Sequence, residues 1–116
     1  PQRLGSPDEA IAAYLAAVKR DPACADAFYN MAILRAQRDQ VREAERCYRA
    51  ALDIEPAHVA ALFNLALLLT RQERYQDALP LWDKVASLDA DRQDALRARR
   101  SAQLCRMAVH AIRSGS

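Results

Sequence analysis

The sequence predicts an all-α chain, an α-solenoid of antiparallel helix pairs, and three observations carry that prediction. The 116 residues contain only two glycines, Gly5 and Gly115, both near the ends. The interior therefore lacks the residue best suited to tight turns between strands. Alanine is the commonest residue, and it is the strongest helix former. The sequence also repeats itself at an offset of 34, which points to an array of identical supersecondary units. Apolar types make up 52% of the chain, enough for a core and too many for a disordered segment. The length fits one small domain or a short array.

Residues 10 to 43 align without a gap on residues 44 to 77. The pairs Ala10/Ala44, Tyr14/Tyr48, Ala16/Ala50, Ala17/Ala51 and Pro22/Pro56 are identical, as are Ala23/Ala57, Ala27/Ala61, Asn30/Asn64, Ala32/Ala66 and Leu34/Leu68. A third copy begins at Ala78, with Trp82 in the aromatic slot and Ala95-Leu96 where Ala61-Leu62 stood. Ala90 takes the place of the proline.

The elements follow in order. Pro1 to Gly5 read as the tail of a preceding helix, and Ser6-Pro7-Asp8-Glu9 is a capping box with Pro at the first helical position. It opens a helix over residues 7 to 20. Pro22 and Pro56 close equivalent helices, because the residue before a proline is pushed out of the α region. Within residues 23 to 56, Phe28, Met31, Ala32 and Arg35 sit three and four apart, as do Ala44, Cys47, Tyr48 and Ala51. The polar run Gln37 to Gln40 separates them. Each unit is thus a helix of about four turns, a short turn and a second helix antiparallel to the first. Pro80 falls inside the second helix of the next unit, where a missing N–H and a ring clash predict a kink or a late start. The resulting division is 1–22 (second helix of a truncated unit), 23–56 and 57–90 (complete units), and 91–116 (a capping helix over 92 to 113).

A 34-residue helix-turn-helix with Ala-x3-aromatic and a closing Pro resembles the tetratricopeptide repeat. The residues that carry the resemblance are Ala10, Tyr14, Ala17 and Pro22; Phe28, Met31, Ala32, Ala44, Tyr48, Ala51 and Pro56; and Leu62, Leu65, Ala66, Ala78, Trp82 and Val85. Ala32 and Ala66 stand where that family often has Gly. The resemblance covers essentially the whole chain and implies a right-handed superhelix whose first helices line a concave, partner-binding groove. The groove positions it implies are Asp26, Tyr29, Asn30, Ile33 and Gln37, then Ala60, Phe63, Asn64, Leu67 and Arg71, then Asp94, Arg97 and Ser101. Asn30 and Asn64 would project from neighbouring helices about 10 Å apart. That matches three residues of extended peptide at about 3.3 Å each, and an amide both donates and accepts. The alternative is that each amide bonds to a neighbouring helix. Members that grip chaperone carboxyl tails carry basic residues where this chain has Asp94 and Ala98, so a carboxylate clamp is not expected.

No catalytic constellation is legible. Cys24, Cys47 and Cys105 are odd in number and widely spaced, which fits small apolar side chains in a reducing, cytoplasmic compartment. His58 and His110 read as surface residues with no nucleophile or carboxylate placed to act with them. No metal motif, cofactor loop or membrane-length apolar run is present. The chain starts at Pro1 rather than Met, so its native N-terminus is expected to be missing. The expected function is a non-catalytic scaffold that binds a peptide or protein.

The terminal helix offers alternatives. Residues 92 to 116 hold six Arg and one Asp, and Arg92, Arg99, Arg106 and Arg113 recur every seven residues. Ala95, Ala98, Ala102, Cys105, Val109 and Ile112 form an apolar seam, whereas Leu96, Leu104, Met107 and Ala111 form a second sector away from it. Arg99 and Arg100, replacing an apolar pair, fit a solvating cap. The second sector, if exposed, could instead receive a second copy of the chain or sequence missing from these residues, in a self-association or spacer module attached to an enzyme domain. The Arg stripe could bind nucleic acid or an acidic protein, although no aromatic is interleaved to stack on bases.

Overall fold

Alanine-rich runs punctuated by short polar breaks build helices and little else. The computed structural model describes residues 7–21, 24–88 and 93–114. These residues form six helices and no strand: α1 (Pro7–Arg20), α2 (Ala25–Gln37), α3 (Val41–Ile54), α4 (Val59–Arg71), α5 (Tyr75–Leu88) and α6 (Gln93–Ser114). They fall into two compact units, Pro1–Pro56 and Ala57–Ser116. Helix α1 opens at Pro7. Residues 1–5, Ser6 of the capping motif, Pro22, Ala90 and Arg92 lie outside the described residues.

In the first unit α1 packs on α2 and α2 on α3. Ile11, Met31 and Tyr48 fill the core around Ala25, Ala27, Ala32, Ala44 and Ala51. Arg38, at the end of α2, pairs with Asp8 in the first turn of α1. In the second unit α4 packs on α5 and α5 on α6. Leu62, Leu65, Leu69, Trp82, Val85 and Cys105 are its large enclosed side chains. The two cores match position for position one period apart: Met31 with Leu65, Ala32 with Ala66, Ala44 with Ala78, Tyr48 with Trp82, Ala51 with Val85.

The polar breaks are tight turns made without glycine. Asp39 N–H donates to the Ala36 carbonyl at 3.0 Å and Gln40 N–H to that of Arg35 at 2.9 Å. Glu73 N–H to Thr70 and Arg74 N–H to Leu69 repeat the pattern, both at 2.9 Å. This is the Schellman closure of a helix end, which needs one left-handed residue. Asp39 and Glu73 supply it, each at φ 61°. Arg35 then donates to the Gln40 side chain at 3.0 Å across the first turn.

Three expectations need correction. Helix α5 starts at Tyr75 and runs through Pro80, so of the two outcomes expected there, a kink or a late start, the late start is ruled out. Pro80 and Gln76, whose carbonyl loses its amide partner, are both exposed, and water can serve that carbonyl. His58 is half-buried rather than a simple surface residue. Its Nδ1 accepts from Ala61 N–H at 3.1 Å and caps α4. Ile112, assigned to the apolar seam, is 64% exposed, and Val109 is half-buried. Val109, Ile112 and Arg113 line an open cleft with residues 73 to 77 at the start of α5, so Ile112 borders a gap rather than a packed seam. The seam from Ala95 to Cys105 is buried, and all three cysteines are free thiols.

A non-glycine residue at positive φ carries a steric cost, largest for long side chains and smaller for Asp. Glu73→Gly should therefore raise the unfolding free energy by about 0.5–1 kcal/mol after the entropy of glycine is charged against it. Asp39→Gly should gain less. Urea titration with an unchanged m-value is the measurement.

Candidate functional site

Residues four apart share a helix face, and Phe63, Leu67 and Arg71 do so on α4. On α6, Arg97, Arg100 and Ser101 do the same at spacings of three and four. The second unit brings these six residues together around Trp82 of α5, lining an open cleft of about 380 Å³. The lining carries three arginines and, among the described residues, no carboxylate.

A chain of contacts ties this cleft to the core. The Trp82 indole N–H donates to Thr70 Oγ1 at 2.9 Å. The Thr70 hydroxyl in turn donates to the Ala66 carbonyl at 2.7 Å. Because that donation uses its one proton, the 3.9 Å contact between Thr70 Oγ1 and Cys105 Sγ has the thiol as donor. Phe63 stands perpendicular to Trp82, with ring centroids 5.0 Å apart. This edge-to-face geometry suits the quadrupoles of both rings. The Arg97 guanidinium lies 5.9 Å above the Phe63 ring, within cation–π range.

Of the residues expected in the groove, Phe63, Leu67, Arg71, Arg97 and Ser101 thus share one cleft. The half-buried Asn64 donates its amide nitrogen to the Ala60 carbonyl of its own helix at 2.8 Å. Tyr29, Asn30, Ile33 and Gln37 belong to α2 in the first unit. There Tyr29 lies 6.2 Å from Tyr48 with rings inclined at 52°. The side chain of Asp94 is outside the described residues, and Ala98 is fully buried in the α5–α6 seam rather than facing a groove. Sequence reasoning missed Trp82 and Arg100 as lining residues. Arg100 was legible as the residue three beyond Arg97 and beside Ser101. Trp82 carried only its aromatic-slot signal, which points to a core.

The Arg stripe is partly consumed: Arg106 chelates both carboxylate oxygens of Asp83 on α5 at 2.8 Å. Burial raises the Cys47 thiol above its ordinary value, opposed by Arg35 and assisted by Glu43, so it is held protonated and poorly nucleophilic. No group of His, Cys, Asp and Glu among the described residues could hold a metal ion. No helix among them is long and apolar enough to cross a membrane.

The family model described as tetratricopeptide repeat matches residues 2–38 and 29–95. The chain belongs to the tetratricopeptide repeat family. Domains of this family are protein–protein interaction modules. No match was found among curated proteins. Among solved structures, this tetratricopeptide chain is similar to the TPR2B-domain:pHsp70-complex of yeast Sti1, at 27% identity and a TM-score of 0.72, over 90% of this chain and 83% of that one. It is also similar to the MamA RS-1 ArsTM double mutant, at 24% identity and a TM-score of 0.79, over 96% of this chain and 61% of that one. The first TPR of Spaghetti (RPAP3) bound to the HSP90 peptide SRMEEVD matches at 17% identity and a TM-score of 0.77, over 90% and 80% respectively. The last two likenesses establish the fold.

Burial, with smaller contributions from Tyr29 and Cys47, pushes the Tyr48 phenol up to about 12 from an ordinary 10. A raised phenol leaves stability untouched below pH 10, where folded and unfolded chains are both protonated. Between pH 10 and 12 the unfolded chain ionises first, and stability falls. Chemical denaturation across that range should show the loss in the native tetratricopeptide chain and a smaller loss in Tyr48→Phe.

Proposed function

We propose that this chain is a non-catalytic scaffold that binds a peptide segment of a partner protein. The observation that carries the reading is the cleft of the second unit, where Phe63, Leu67 and Trp82 offer apolar surface and Arg71, Arg97 and Arg100 surround it. Apolar walls with a few convergent polar groups are what a ligand site requires. Arginines above an aromatic floor suit a segment that pairs an apolar side chain with carbonyl or carboxylate oxygens. Ser101 adds a hydroxyl that both donates and accepts. On α2, Tyr29, Ile33, Asn30 and Gln37 combine apolar and amide side chains in the same manner. The Sti1 domain, solved as a complex with pHsp70, supports a peptide as the ligand class. The burial of Ala98 argues that any anion would be met by Arg71, Arg97 or Arg100.

Peptides selected from a displayed random library against the 116-residue chain provide the test. Selected peptides should lose at least tenfold in affinity, about 1.4 kcal/mol, when Leu67→Ser is combined with Arg71→Glu. Thermal unfolding of the variant should stay close to that of the parent chain. Asn30→Ala and Asn64→Ala, measured separately, report on the amides. A library that yields no binder, or binders indifferent to the double variant, would remove the cleft from consideration.

A further inference from the structure

The cleft of the second unit gathers positive charge that its own surroundings do not neutralise. Arg71 ends α4, and Arg97 and Arg100 stand three residues apart on α6. Among the described residues no carboxylate lines the cleft, and Arg71 and Arg100 have no hydrogen-bond or ion-pair partner. Arg38, Arg49, Arg74 and Arg106, by contrast, each pair with an Asp or Glu. The repeat itself does not call for these cations. Arg71 stands one period after Gln37, Arg97 one after Phe63 and Ser101 one after Leu67. A helix dipole favours a cation in the last turn, as at Arg71, but gives no such gain early in a helix, where Arg97 and Arg100 lie. Like charges drawn around one opening repel, and an anion entering between them relieves the repulsion.

Shape limits what that anion belongs to. A cleft of about 380 Å³ is at the small end for a ligand site, with room for one or two side chains. Its floor is apolar, made by Trp82 and the edge-on Phe63 ring beside Leu67. In an extended segment, residues two apart point the same way at about 6.6 Å, so one apolar and one anionic side chain enter together. Arg71 meets the anion from α4, and Arg97 and Arg100 meet it from α6. A carboxylate brings one charge and two oxygens in a plane, which a single guanidinium fork already matches. A phosphoryl group brings a charge of about −1.5 to −2 and three acceptor oxygens, and so it can engage several guanidiniums at once. The Ser101 hydroxyl is a further donor beside them. Arg97, 5.9 Å over the Phe63 ring, joins the cationic wall to the apolar floor.

We propose that the cleft selects a phosphorylated segment of a partner protein. A phosphoserine or phosphothreonine is held by Arg71, Arg97 and Arg100, and an apolar side chain two residues away sits on Phe63 and Trp82. The proposal rests on the reading of the cleft as a peptide site and adds what the peptide carries. Without the phosphate the same segment keeps its apolar contact and loses its anion, so binding follows a modification made on the partner.

The test uses the 116-residue chain and one short peptide with Phe two residues before Ser, made in three forms: with Ser, with phosphoserine and with Glu in place of Ser. The phosphoserine form should bind about tenfold or more tightly than the other two. That advantage should shrink with added salt, and also at about pH 5, below the second phosphate pKa of about 6. Arg100→Gln should bring the three forms to within about threefold of one another. Arg99→Gln removes the same charge from α6 outside the cleft and should leave the advantage intact. Both arginines are exposed, so neither change should lower the melting temperature. A phosphoserine form that binds no better than the Glu form overturns the proposal, as does an equal loss in the two Arg variants. If the three forms bind alike and weaken together in Leu67→Ser with Arg71→Glu, the phosphate requirement falls and the cleft remains a peptide site. Binding of none of the three also overturns the proposal, and library-selected peptides then decide the cleft reading by themselves. A single-stranded oligothymidylate that binds as tightly as the phosphoserine form, and is lost in Arg100→Gln, overturns it in favour of a nucleic-acid backbone.

Discussion

Close approach of helices at alanine is the constraint on which both units rest. Ala32, Ala44 and Ala51 in the first unit, and Ala61, Ala66 and Ala78 in the second, have no accessible surface. A side chain of one carbon lets two backbones come near, and it leaves beside the contact a space that a single large side chain can fill. Tyr48 fills it in one unit and Trp82 in the other, at 3% and 1% exposure. Truncating an aromatic so placed costs about 3–5 kcal/mol, a large part of what a short array has. The small residues and the large one are therefore a single design, and neither works without the other.

The same aromatic slot reaches outward. In the second unit Trp82 is held from inside by the Thr70 hydroxyl and from outside by the edge-on Phe63 ring, on which Arg97 rests. The cleft is thus the surface end of a contact sequence that starts at the Ala66 carbonyl. Rigid helices carry its lining, with α4 supplying one wall and α6 the other. Helix α6 carries Arg97, Arg100 and Ser101 in the cleft and Leu104 and Met107 exposed to solvent, so one helix presents two chemically different faces.

Most of the architecture was legible because a repeat states its own rules twice. The identities at an offset of 34 set the phase of the helices from α1 to α4, the third copy from Ala78 extended it to α5, and the polar run Gln37 to Gln40 marked a turn that recurs at Gln72 to Arg74. What escaped was chemistry that depends on one residue's immediate surroundings. His58 caps α4 because its ring nitrogen meets Ala61 N–H, and nothing in its residue type separates a cap from a surface histidine. Ile112 has the spacing of a seam residue, but it borders an open cleft beside the start of α5. Pro80 breaks a local rule that exposure to water makes tolerable. In the cleft, helical spacing placed Phe63, Leu67 and Arg71 on one wall. Trp82, by contrast, was visible as core and hidden as floor, since a residue 1% exposed still borders an opening.

The chain contains one tryptophan, and it is the residue beneath the cleft. Its indole is polarised by a single hydroxyl and flanked by a ring that bears a guanidinium. Displacing that guanidinium or reorienting that ring changes the electric field along the indole. The emission wavelength and intensity of the native molecule are therefore an intrinsic optical gauge of whether the cleft is occupied, with no label to be introduced.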